Sequence, residues 1–211
     1  MRSLEAKPTG VNMNRPLVKL AALTSALWMS SVFADWSLKG DESSLHFISI
    51  KKDSIAEIHT FPQLDGSITD AGDFQFSIQL GTVETQIPIR NERMNEFLFE
   101  TAKFPLATGR GKLNVADIQK LAVGDTTSIT VSVTIDLHGK SVKKDVQFKV
   151  AKLTADKIWA VTPVPFILDA ADFELTAGID KLRELAVLPN IAQAVPVSAS
   201  LTFVSSEKGK K

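Results

Sequence analysis

The chain has no cysteine and no tyrosine, only three histidines and three tryptophans, and its 24 basic residues are matched by 24 acidic ones. Without cysteine it forms neither a disulfide framework nor a thiolate metal site, so a hydrophobic core must hold the fold. His46, His59 and His138 include no close pair such as H-x-x-x-H, so the sequence carries no metal-ligand spacing. The balanced charge excludes the basic surplus that draws proteins to nucleic acid. Nucleophile and phosphate-binding signatures are missing too: no G-x-S-x-G, no S-x-x-K in a strand–helix setting, no G-x-G-x-x-G and no P-loop. Asp169 and Asp172, three apart, are the nearest thing to a paired acid, and two carboxylates in a loop are the ordinary chemistry of turns.

What is present begins with an address. Leu20–Ala34 carries no charge, follows Arg15 and Lys19, and ends in Val32-Phe33-Ala34. A basic segment, a short apolar run and a small-residue end are the parts of a cleaved secretory signal. The run is shorter than the roughly 20 apolar residues of a membrane-spanning helix. Residues 1–34 are therefore expected to be removed, with export to the periplasm, and either Met1 or Met13 can serve as the start. Removal takes away four of the 24 basic and one of the 24 acidic residues, for a net charge of −3. Residues 35–205 suffice for one domain with its own core, and 206–211 form a polar tail.

The body alternates apolar and polar residues with period two, the mark of strands with one buried face. The clearest runs are Phe74–Leu80, Ile129–Leu137, Val146–Val150 and Val195–Phe203. Weaker ones are Ser44–Lys51, Ala56–Phe61, Ala107–Val115 and Ile158–Val161; the first shifts phase at Ile48, as a bulge or two-sided burial would require. Asp65-Gly66, Ala71-Gly72-Asp73, Gly124-Asp125 and His138-Gly139-Lys140 are turn signals, and LHGKSV reads as a tight hairpin. The expected fold is all-β, an antiparallel barrel or sandwich of about eight strands. Two segments have helical spacing instead: Asn91–Thr101, with Asn91 as its cap, and Ile179–Ala186, preceded by Gly178. A closed barrel of about eight strands either is filled by its side chains or holds one small ligand, and a lining of Phe, Leu, Ile and Val suits an apolar guest.

Four segments resemble the YceI-like family: SSLHFISIKK, PIRNERMNEFLFETAKFPLAT (88–108), TIDLHGKSVKKDVQFKV (134–150) and LDAADFELTAGIDKLRELA (168–186). The resemblance implies an exported, extended lipocalin-like antiparallel β-barrel with one or two short helices, holding an isoprenoid or similar long lipid as carrier or store, without catalysis or cofactor. It places Phe47 on the first strand facing the cavity, and puts the helix of Met94, Phe97 and Leu98 over part of the barrel. The chain departs from the family where R-D-x-H-L becomes Arg90-Asn91-Glu92-Arg93-Met94, where Glu42 replaces a histidine, and where D-F-G becomes Asp172-Phe173-Glu174.

The expected cavity-lining residues are Phe47, Phe74, Phe76, Met94, Phe97, Leu98 and Phe166. The expected partner is an apolar lipid such as a polyisoprenoid, with no nucleic acid and no stable membrane insertion. A homodimer stays open through an exposed strand edge or barrel mouth. Three other readings make different demands. A lipid-acting hydrolase or isomerase needs a polar cluster in the barrel around His46, His59 or the acids. A filled barrel acts through its surface. An outer-membrane barrel needs aromatic girdles, which a chain with only Trp36 and Trp159 after the signal does not supply.

Overall fold

A computed structural model describes residues 36–205; the expected signal segment and the polar tail lie outside these residues. Eleven strands form one antiparallel sheet: β1 Trp36–Leu38, β2 Ser44–Lys51, β3 Ile55–Thr60, β4 Leu64–Ile68, β5 Asp73–Gln79, β6 Leu106–Lys112, β7 Thr126–Leu137, β8 Lys140–Lys152, β9 Lys157–Val161, β10 Phe166–Asp169 and β11 Ala194–Ser205. They amount to eight staves, because three staves are interrupted. β11 pairs with β1 and β2 along one flank and with β9 and β10 along the other. β3 and β4 likewise follow one another beside β2 and β1. The order is therefore β1/β2, β3/β4, β5, β6, β7, β8, β9/β10, β11 and back to β1: an up-and-down barrel, the closed form of the expected fold.

Each interruption has a chemical reason. Between β9 and β10, Pro163 and Pro165 lack the N–H that a ladder needs. Thr162 bridges the break: its N–H donates to Ala199 O at 3.0 Å and its hydroxyl accepts from Ala199 N–H at 3.0 Å. Between β1 and β2 a 3₁₀ turn, Gly40–Glu42, bows outward, and Ser43 Oγ accepts from Thr202 N–H at 3.0 Å. Between β3 and β4, Pro62 follows the buried Phe61.

The longest ladder joins β7 to β8, in register from Thr126↔Ala151 to Leu137↔Lys140. His138 (φ 52°) and Gly139 (φ 76°) close it with the two left-handed residues of a type I′ turn, the tight hairpin expected of LHGKSV. Elsewhere the wall is thinner. β8 pairs with β9 only through Lys149–Lys152, and no ladder joins its first half to β10. Two ion pairs instead tie the first half of β8 to the 3₁₀ turn that follows β10, Lys140–Glu174 at 2.6 Å and Lys144–Asp172 at 3.8 Å.

Several boundaries differ from the sequence expectations. Asp65-Gly66 lies within β4 rather than in a turn, where Gly66 sits opposite Phe76 and an added Cβ would meet Gln75 O at 2.9 Å. β6 ends at Lys112, and Val115–Gln119 is a short helix, α2, whose Asn114 side chain accepts from Ala116 N–H. The phase shift in β2 is not a bulge, since its register with β3 runs unbroken from His46 to Lys51; Ile48 and Ile50 lie half-buried on the face opposite Leu45 and Phe47. The first helical segment is two elements, α1 Pro88–Arg93 and a π-turn Met94–Leu98, in which Phe99 N–H reaches back five residues to Met94 O at 2.9 Å. Pro88 opens α1, where its missing N–H costs nothing. Asn91 is therefore inside the helix, and its Oδ1 instead accepts from the backbone N–H (2.9 Å) and hydroxyl (2.5 Å) of Thr85. The second helix, α3, spans Thr176–Leu185 and so includes Gly178. An added Cβ there would meet Phe97 O at 2.5 Å and Leu98 Cα at 2.8 Å, so glycine is what lets α3 lie against the π-turn. α1, the π-turn and α3 together form a lid at one end of the barrel.

Candidate functional site: an apolar cavity and its polar margin

Inward-facing residues of the staves enclose a cavity of about 240 Å³. Ile129, Val131, Val133, Ile135 and Leu137 line it along β7, a stretch of strand about 27 Å long at roughly 3.4 Å per residue. Leu113 and Ile118 line it too, as do Leu98 and Phe99 beneath the lid. Among the described residues, Thr108 supplies the only polar side chain in the lining, and no charged residue takes part. Apart from the Thr108 hydroxyl, such a space offers a guest burial and shape rather than polar or charged groups to orient it. The outward positions of β7 and β8 are Thr130, Ser132, Thr134, Lys143, Asp145, Gln147 and Lys149, the wrong polarity for a surface facing lipid. Among the described residues, no helix is long and apolar enough to cross a membrane.

Of the seven residues expected to line a cavity, Phe47, Phe74, Phe76, Leu98 and Phe166 do so. Met94 and Phe97 do not. Met94 is buried in the core, and Phe97 is half-buried, its carbonyl against Gly178. The π-turn accounts for this: one extra residue in the turn rotates the side chains that follow, bringing Leu98 and Phe99 to the cavity. Sequence reasoning passed over Phe61, Phe99, Phe173 and Phe203 as lining residues. Alternation marked Phe203 as inward; the others sit beside breaks in the pattern, where period alone does not say which way a side chain faces.

The histidines fall in three settings. His46 is half-buried on β2. The His138 ring is tilted against Phe104 at 4.6 Å, with Nε2 at 2.9 Å from Glu100 and Nδ1 at 3.3 Å from Phe173 O, so it ties the hairpin turn to the lid end. Hydrogen bonds from Lys103 and then His138 hold the Glu100 carboxyl below the usual range. His59 is only 2% exposed. Burial and then the neighbouring Arg90 guanidinium lower its pKa to about 4. Its Nε2 lies 2.8 Å from Ser49 Oγ, but Nδ1 has no partner. A serine–histidine pair needs a basic imidazole and an acid at the far nitrogen to act as nucleophile and base. Here the imidazole is weakly basic, and the nearest acid, Glu57, is committed elsewhere: Lys51 Nζ and Arg90 Nη1 both contact its Oε2, at 2.8 and 2.9 Å. Burial alone would raise the Glu57 carboxyl, but these two partners outweigh it and hold it low. Asp169 and Asp172 do turn chemistry, Asp169 accepting from Ala171 N–H at 3.0 Å and Asp172 facing Lys144. Among the described residues, no three His, Cys, Asp or Glu side chains converge as metal ligands.

The family model of the YceI-like domain matches residues 36–203, the whole barrel. Among solved structures, a polyisoprenoid binding domain from Saccharophagus degradans implicated in plant cell wall breakdown is 40% identical; the match covers 82% of this chain and 99% of that one, with a TM-score of 0.80. BcnA of Burkholderia cenocepacia shares the fold at 14% identity, with 78% of this chain and 98% of that one covered and a TM-score of 0.60. No curated protein matches by sequence. With the family's domain matched from β1 to β11 and its hairpin, lid and apolar interior all in place, the chain belongs to the YceI-like family.

Proposed function

We propose that the protein binds one long apolar lipid of the polyisoprenoid class inside the barrel, as a carrier or store, and performs no chemical step on it. The observation that carries this reading is the cavity lining, which follows about 27 Å of β7 and, among the described residues, is polar only at Thr108. Affinity then comes from burial, at roughly 25 cal/mol per Å² before the cost of ordering the chain is subtracted. The 40% identical polyisoprenoid binding domain supports the choice of lipid class. The apolar run Leu20–Ala34 supports a periplasmic site of action, and a lipid with an insoluble tail needs such a shelter to cross an aqueous compartment.

The test is native mass spectrometry of protein recovered from the periplasmic fraction without detergent, followed by organic extraction. An isoprenoid near one per chain, on a chain beginning at Asp35, is the expected result. A bare chain that also fails to take up an added C40 isoprenoid would overturn the reading. Replacing Val133, which lines the cavity and is 8% exposed, by Phe should weaken uptake about tenfold by filling space the guest needs.

A further inference from the structure

The wall of the barrel is incomplete at the end opposite the lid. β6 pairs with β7 only through Thr108, Gly109 and Arg110. Among the described residues, positions 126–133 of β7 therefore have a ladder on their β8 flank alone. The chain that leaves β6 after Lys112 runs to the start of β7 with α2 in its middle. Leu113 and Ile118 from this crossing line the cavity, and Leu113 packs against the cluster of Val131, Val133 and Val146. A short helical crossing, rather than a strand, closes the cavity here.

The crossing is fastened at its two ends. Leu113 N–H donates to Gly72 O at 2.9 Å, and Gly124 N–H donates to Lys152 O at 2.8 Å. Among the described residues, the backbone of 114–123 otherwise bonds only to itself and to the adjoining Asp125, apart from Lys152 Nζ, which reaches Gln119 O at 3.5 Å. The remaining hold is the burial of two side chains, Val115 and Ile118, 7% and 3% exposed. A glycine stands at each fastening, Gly72 at φ 85° and Gly124 at φ 93°. An added Cβ on Gly124 would meet nothing, so that site calls for the backbone angle alone. A segment with no ladder and two buried side chains opens at lower cost than the sheet beside it.

The enclosed volume gives such an opening a use. About 240 Å³ is below the roughly 300–1,000 Å³ in which proteins hold drug-sized molecules. A long apolar chain therefore needs room that the closed barrel lacks. An apolar path lies outside the crossing: Val123, next to Gly124, and Leu153, next to Lys152, are 60% and 45% exposed.

We infer that residues 114–123 form a flap over this end of the cavity, with Ile118 as its latch. The flap stays shut over a short apolar chain. For a longer one it swings out on its two glycine-marked fastenings, and the end of the chain runs out over Val123 and Leu153. The inference rests on the lipid-binding reading above and adds to it what decides the length of lipid accepted.

The test compares farnesol and solanesol, C15 and C45 isoprenoid alcohols with the same head, on the folded mature protein. In hydrogen–deuterium exchange, the amides of 115–123 should exchange about tenfold faster with solanesol bound than with farnesol bound, while the β7–β8 ladder stays protected with both. Ile118→Ala loosens the latch and should raise the solanesol-to-farnesol affinity ratio about tenfold. Lys152→Met removes only the Nζ contact and should raise that ratio about twofold, which keeps a readout if Ile118→Ala does not fold. Solanesol bound with flap amides no faster than in the farnesol complex would overturn the flap and leave the lipid-binding reading intact. So would binding of farnesol without solanesol, or a ratio unmoved in both variants. If neither alcohol binds, the lipid-binding reading falls and the flap with it.

Discussion

The β7–β8 hairpin and the helical lid enclose the same cavity by opposite means. The hairpin holds one ladder in unbroken register through twelve pairs, with apolar residues inward and polar residues outward along most of its length, Lys144 opposite Val133 and Lys140 opposite Leu137 being the exceptions. The lid relies on a few particular atoms: a π-turn, the absent Cβ of Gly178, a left-handed Glu174 at its approach, and a buried histidine beneath α1. A repeating wall shares the cost of any one change among its neighbours, whereas each lid contact stands alone. The lid should therefore be where single substitutions and pH act most strongly.

The largest expected effect is on His59. Its folded pKa, near 4, lies below the unfolded value of about 6.5, so between these values the unfolded chain holds one more proton. Stability from this group is fully present above pH 6.5 and falls by about 3 kcal/mol as pH drops to 4. Lys51 and Arg90 face the ring and oppose its protonation, while Glu57 favours it. His59→Phe should remove most of that slope in urea titrations run from pH 7 to pH 4; an unchanged slope would show the ring is not held neutral by the fold. Next is Gly178→Ala. Alanine gains about 1 kcal/mol of helix propensity, but the new Cβ meets backbone atoms that cannot rotate away. A net loss of about 2 kcal/mol is expected, and no loss in thermal unfolding would mean α3 can slide on the π-turn. The smallest effect has the opposite sign. Glu174 holds φ 57° where the family commonly has glycine, a conformation costing an L-residue about 1 kcal/mol. Its exposed pair with Lys140 gives back a few tenths. Glu174→Gly should stabilise the protein by about 0.5 kcal/mol, and a clear loss would show that the seam pair matters more than backbone strain.

This division also decided what the sequence could reveal. Period-two alternation identified β5, β7, the second half of β8 and β11, because there apolar residues take the less exposed face. The segments β1, β4 and β10 went unseen, since at three to five residues they are too short for alternation to register. Asp65-Gly66 looked like a turn because glycine's other use, close approach of one strand to the next, leaves the same letters. In the lid, spacing found the helix but not the π-turn, so Met94 and Phe97 were expected in the cavity that Leu98 and Phe99 line. His59 was visible only as a lone histidine; its partners come from β2, β3 and α1, and only folding brings them together.

The seam between the first half of β8 and β10 bears on how much the cavity can hold. Where a barrel is stitched throughout by backbone hydrogen bonds, its girth is set by strand number and stagger. Here no ladder joins that stretch, and two ion pairs tie β8 only to the 3₁₀ turn that follows β10. Spreading it would cost side-chain contacts but no rung of the ladder. That stretch is therefore where backbone hydrogen bonding fixes the girth around the 240 Å³ cavity least.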